Sequence, residues 1–166
     1  MSQRTSGGWT PDAEEMARYG RQFFRWAGIR ILEVGGGRAV TELEVADHHR
    51  GGGGTRAING GIVAYMFDGT LGLAVGSTWD AGVRAQVTLT LTIHYLRRLD
   101  AERRVVCTAE VVRRGGQTVF VDGAIRDEEG RLAATCSGIY RLFRDGGQPG
   151  GAGGGGADGD VADRAP

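Results

Sequence analysis

The 166-residue chain has no lysine; all 20 of its basic side chains are arginines. A bias spread over the whole composition weakens the case for any one arginine as a dedicated phosphate ligand. The arginines are matched by 20 acidic residues, so the formal charge is zero. Nothing in that balance points to nucleic acid or to an anionic membrane surface. Only two cysteines occur, Cys107 and Cys136, far apart and without CxxC spacing. A zinc site and a disulfide framework are therefore not expected, and the thiols read as reduced, as in a cytoplasmic protein. The first residues are polar and lack a signal-peptide apolar segment, so no leader is expected. The longest apolar stretch is broken by Asp68, so no membrane span is expected either. No cofactor is expected. Glycines 51–54 lack the Lys-Ser/Thr of a Walker loop and do not satisfy GxGxxG. His48 and His49 are adjacent, and neighbouring side chains point apart, so they do not make a metal pair.

What is present is organised around residues 57–77, AINGGIVAYMFDGTLGLAVGS. The run is too long for a strand and has no proline, which predicts a helix. Apolar residues lie on nearly all its faces, so the helix is expected to be buried. Asn59 is a candidate N-cap, with Gly60 and Gly61 in the first turn. A carboxylate on a buried helix is costly unless it is paired or has a task, which singles out Asp68. The four orphan N–H groups at the start of the same helix form a site for an anion or oxyanion. One segment thus offers both an acid or base and an oxyanion holder.

The flanking sequence predicts three parts: a flexible arm over 1–10, one folded domain over 11–144, and a disordered Gly-rich tail over 145–166. The tail has no large apolar side chain except Val161 and cannot bury enough surface to fold. Thr10, Pro11 and the acids after them start a helix that runs to about Ala27, with Met16, Tyr19, Phe23 and Trp26 on one stripe. Alternation over 29–34 and 38–45 predicts a hairpin across glycines 35–37. After the central helix and a short link over 77–82, strands are expected around 87–94 and near 103–113, 118–127 and 132–143. In the first, Val87, Leu89, Leu91 and Ile93 share one face and Thr88, Thr90, Thr92 and His94 the other. The short connections at 99–102, 115–116 and 128–130 imply antiparallel neighbours. An antiparallel sheet wrapped around one central helix is an α+β arrangement.

With those residues in place, the chain resembles the hotdog-fold acyl-CoA thioesterases related to phenylacetyl-CoA and 4-hydroxybenzoyl-CoA thioesterases. The family pattern is a Gly-rich loop, a His-Gly-Gly, and a buried helix with an acid nine residues after the His. Here it reads Asn59-Gly60-Gly61 with Asp68. Tyr95-Leu96-Arg97-Arg98 stands where the family has aromatic-Leu-Arg-Pro, and Arg113-Arg114-Gly115 where it has basic-x-Gly. The resemblance covers about residues 20–144. It implies hydrolysis of an acyl-CoA to free acid and coenzyme A, for an aryl, short-chain or medium-chain acyl group. It implies that the Gly60 N–H meets the thioester oxygen, that Asp68 is general base or nucleophile, and that Thr88 lies near carboxylate and water. Asn59, in the place of the family's His, is included with these catalytic candidates. Tyr95 and Arg113, with Gly61, Arg97 and Gly115, are candidates for binding substrate and coenzyme A. Arg98 replaces the family's Pro, and Gly53 aligns with an Asn that some relatives carry.

A separate geometric argument gives the assembly. Gly60 and Asp68 are eight residues apart, about 12 Å along a helix. One thioester needs the donor about 3 Å from its oxygen and the attacking atom within about 3.5 Å of its carbon. One helix cannot easily supply both. Two antiparallel copies in a two-fold dimer can, and a homodimer with two equivalent interface sites is expected, with pairing of dimers into a tetramer left open. The alternatives on the same residues are a non-catalytic acyl-CoA or small-aromatic binding protein, a hotdog dehydratase or hydratase, and a dimerisation module.

Overall fold

The computed structural model describes residues 23–51 and 53–144. The arm over 1–10, most of the helix expected to end near Ala27, and the tail over 145–166 lie outside the described residues. A helical turn, α1 (Phe23–Trp26), leads into β1 (Ile29–Gly35) and β2 (Arg38–Glu44). A single 3₁₀ turn (Asp47–His49) and the glycine loop then precede α2 (Gly60–Gly76). Four strands follow: β3 (Val83–Tyr95), β4 (Arg104–Gly115), β5 (Thr118–Arg126) and β6 (Leu132–Arg144). They form one antiparallel sheet in the order β1-β2-β4-β5-β6-β3. No helix among the described residues is long and apolar enough to cross a membrane.

The β1–β2 hairpin forms because Gly36 and Gly37 both adopt positive φ, +59° and +84°. That is the backbone a tight two-residue turn demands. The β3–β4 connection departs from the sequence reading. β3 pairs with β6 at the sheet edge, not with β4. The chain between them crosses the end of the sheet and buries Leu99 and Ala101 on the way. Backbone pairing of Ile58 N–H to the Leu99 carbonyl, at 2.9 Å, fixes that crossing to the start of α2.

α2 lies on the inner face of the sheet, with Phe67, Leu71, Ala74 and Val75 fully buried. Its close approach depends on two glycines. A Cβ on Gly123 of β5 would stand 2.6 Å from Leu71 Cδ1, and one on Gly138 of β6 would stand 2.8 Å from Leu71 Cδ2. Leu71 therefore fits between two bare stretches of adjacent strands. On the other flank, Phe24 packs over Gly69, where a Cβ would lie 2.2 Å from the ring.

The face assignment along β3 is also corrected. The pairing with β6 slips between Thr88 and Thr90, so Leu89 is an extra, bulged residue. A bulge shifts the inward–outward phase by one. Gln86 and Thr88 face the helix before it; Leu91, Ile93 and Tyr95 face inward after it, opposite Gly138, Cys136 and Ala134. Val87 and Leu89 point away, 44% and 56% exposed.

Candidate active site

The start of α2 is built as its sequence demands. Asn59 is extended (φ −61°, ψ 135°), and its Oδ1 accepts the Gly61 N–H at 2.7 Å. Its amide nitrogen donates to the Gly51 carbonyl at 3.0 Å, and its backbone N–H to the His49 carbonyl at 2.8 Å. Asn59 is thus a cap that also ties the helix to the glycine loop. Ile62 and Val63 donate back to the Asn59 carbonyl. The exposed Gly60 N–H meets no acceptor among the described residues, so this first-turn donor is available to an oxyanion. The Gly60 carbonyl is held by the Tyr95 hydroxyl, which donates to it at 2.8 Å.

Two turns on, Asp68 is half-buried. Thr88 donates to its Oδ1 at 2.8 Å. The Tyr140 hydroxyl from β6 donates to the Asp68 backbone carbonyl at 3.0 Å and lies 3.4 Å from Oδ1. Among the described residues nothing donates to Oδ2. Burial raises the Tyr140 hydroxyl well above the ordinary phenol range, and the Asp68 charge acts the same way. Tyr65 is pushed up to about 12 by burial and then by Asp68. Burial, and after it Cys136, also raises Tyr95. All three phenols therefore remain protonated donors at neutral pH.

Beside the helix start is a pocket of about 370 Å³. Val63 and Leu99 give it apolar wall, and Gly60, Tyr95, Arg97 and Arg98 also line it. Arg97 has other partners: it donates to the Leu132 carbonyl at 3.0 Å and pairs with the buried Asp127 carboxylate. Arg98 pairs with Asp100 at 2.6 Å. Arg113 is exposed, and it and Gly115 lie at the other end of the sheet. The neighbouring Arg114 bonds the Thr78 carbonyl, just past the end of α2, and Asp80 at 2.6 Å. Within one chain, then, the fold joins Thr88 to Asp68 and Tyr95 to Gly60, and leaves Arg113 and Gly115 a helix length away.

The sequence reading passed over Tyr140 and Gln86. Gln86 donates to the Gly72 carbonyl at 2.7 Å and accepts from Trp79 Nε1 at 2.8 Å. Alternation in β6 places Tyr140 on an inner face, but no local pattern shows that it reaches a carboxylate 72 positions away.

A capped, buried helix on a six-stranded antiparallel sheet, with a free oxyanion donor and a carboxylate, is the layout of a hotdog-fold enzyme. The thioesterase superfamily model matches residues 56–134, the span from the glycine loop to the start of β6. A Saccharolobus solfataricus protein with a provisional esterase name is 28% identical over 79% of this chain and 90% of its own. The Escherichia coli PaaI protein, from the phenylacetic acid degradation operon, is 25% identical with TM-score 0.68, covering 79% of this chain and 93% of that one. A Haemophilus influenzae thioesterase shares the fold at TM-score 0.75 and 17% identity, over 88% of this chain and 100% of that one. Over residues 56–134 the chain is similar to the thioesterase superfamily, and it has the hotdog fold. It is a thioester hydrolase.

Proposed function

We propose that this protein hydrolyses acyl-CoA thioesters, with an aryl, short-chain or medium-chain acyl group, at two equivalent sites in a homodimer. The observation that carries the reading is the separation of the two reactive groups on α2. The Gly60 N–H, which meets no acceptor among the described residues, and the Asp68 carboxylate are eight residues apart on one helix, about 12 Å. One chain does not bring them to one carbonyl; an antiparallel second copy does.

Two further features support a two-fold partner. β3 is an edge strand of 13 residues with its outer side unpaired among the described residues, and an open edge of that length is a pairing surface. Antiparallel helices also place the Arg113–Gly115 end of one chain beside the Gly60 end of the other. That accounts for two groups of candidate residues that one chain keeps apart.

In the proposed reaction the substrate carbonyl oxygen sits on the Gly60 N–H, whose peptide Tyr95 holds and whose helix Asn59 caps. Asp68 of the other chain either takes a proton from the water that adds to the carbonyl, or attacks the carbonyl directly to give an anhydride that water then cleaves, with Thr88 fixing one of its oxygens. The thiolate of coenzyme A leaves, and the acid is released. Gly61, Arg97, Arg113 and Gly115 stand as the candidates along the coenzyme A path, with the pocket beside Gly60 as its entrance. The buried, reduced Cys107 and Cys136 agree with a cytoplasmic setting.

The test is complementation. Gly60→Pro removes one N–H at the first helical position, where proline is well tolerated. Asp68→Asn removes the acid or base. Each homodimer should lose about 10²–10³-fold in thiol release over a panel of acyl-CoAs. Mixed in one dimer, the two chains rebuild one intact site, so a random mixture should recover roughly a quarter of wild-type activity. No recovery in a verified heterodimer would overturn the shared site, and unchanged turnover by both variants would overturn the assignment of the helix. Sizing of the same samples separates dimer from tetramer.

A further inference from the structure

Asp68 is held from two strands at once, and the second hold is not explained by packing. The Tyr140 side chain is buried on β6, opposite Thr88 in the β3–β6 ladder. Its hydroxyl reaches the Asp68 carbonyl at 3.0 Å and stands 3.4 Å from Oδ1. The Thr88 hydroxyl reaches the same Oδ1 at 2.8 Å. Both donors converge on one carboxylate oxygen, and Oδ2 accepts from no described residue. A carboxylate fixed through one oxygen keeps one rotamer and presents the other oxygen in a constant direction.

Resting on the reading of Asp68 as the reacting acid or base, we infer that Tyr140 is a positioning residue for the thioester hydrolysis: its hydroxyl, with that of Thr88, fixes Asp68 through its carbonyl and Oδ1, so that Oδ2 is the oxygen that meets water or the thioester carbon. The arrangement depends on the β3 bulge, which brings Thr88 to the inner face opposite Tyr140. Burial keeps the phenol protonated, so it donates across the working pH range. Tyr140 touches no substrate in this scheme and acts through Asp68.

A merely structural Tyr140 would act by holding α2 to the sheet, and Gln86 provides the comparison. It grips the same helix one turn on, through the Gly72 carbonyl, without touching Asp68. The experiment measures kcat and KM for acyl-CoA hydrolysis in Tyr140→Phe, Gln86→Leu, Asp68→Asn and the Asp68→Asn/Tyr140→Phe double variant, each with a thermal melt. Tyr140→Phe keeps the ring and removes only the hydroxyl. Its kcat should fall roughly 10-fold with KM within about twofold. Gln86→Leu, for a similar drop in melting temperature, should keep its kcat. In the Asp68→Asn background the Tyr140 change should cost nothing more, because the group it positions is gone. Wild-type kcat in Tyr140→Phe, an equal loss in Gln86→Leu, or additive losses in the double variant would each overturn the inference while leaving Asp68 in place. Wild-type kcat in Asp68→Asn would overturn the Asp68 assignment and the inference with it.

Discussion

The Thr88 hydroxyl donates to Asp68 Oδ1 at 2.8 Å, whereas Thr90, its neighbour in the alternating run, faces away from the helix. The bulge at Leu89 makes the difference. Thr88→Val should therefore lower kcat by about 10–100-fold, the effect expected for losing a hydrogen bond to a charged group. Thr90→Val should leave it near wild type, and Thr88→Ser should restore much of the loss. Steady-state thiol release on the three variants checks this.

Gly138 is opposite Leu91 on the inner face, and Leu71 fills the space a side chain would occupy. Gly138→Ala should destabilise the fold by about 1–3 kcal/mol through overpacking of a fully buried leucine. Leu71→Val on top of Gly138→Ala should recover part of that loss. Denaturant melts of the single and double variants measure both.

His49 is buried, and its Nδ1 accepts the Ala46 N–H at 2.9 Å. Burial, and then the charge of His48, lower its pKa below 6.5. A histidine whose folded-state pKa is depressed contributes stability that is complete above the unfolded value and is lost as pH falls. The melting temperature should accordingly decline once pH drops below about 6.5. His49→Asn, which keeps an acceptor but does not titrate there, should flatten that part of the curve. Because the His49 carbonyl holds Asn59, acid should also open the glycine loop, readable as faster amide exchange at Gly61.

Arg97 pairs with Asp127, whose side chain is 2% exposed. Burial pushes the Asp127 carboxyl up, but the hydrogen bonds from Arg97 and Arg131 outweigh it and hold the group well below the usual range. Arg97→Met should cost about 1–3 kcal/mol in stability, since the buried carboxylate then keeps only Arg131 and the Glu129 N–H. A KM for acyl-CoA that stays within about twofold in this variant would mark Arg97 as structural, and a large rise would place it on the coenzyme A path.

Much of the site was legible in the chain itself. Asn59, Gly60 and Gly61 announce a helix start by their own chemistry, and Asp68 stands out as the one carboxylate in a long apolar run. These signals are local: capping, helical period and desolvation cost act within a few residues. The sheet was legible as strands for the same reason, since alternation and turn glycines are properties of short segments. The partnership of β3 with β6 was not, because which strands meet depends on where α2 seats across the sheet. Nor was the inner face of β3, because one bulged residue reverses a phase that the sequence carries unbroken from Val87 to His94. Tyr140 lies beyond any local signal, since a hydroxyl 72 positions from Asp68 becomes its neighbour only when strand and helix pack. The sequence by itself determined which groups the chain brings to the chemistry. Tertiary packing decided which of them touch, because the glycines under Leu71 and the bulge at Leu89 set the height and facing of the helix over the sheet.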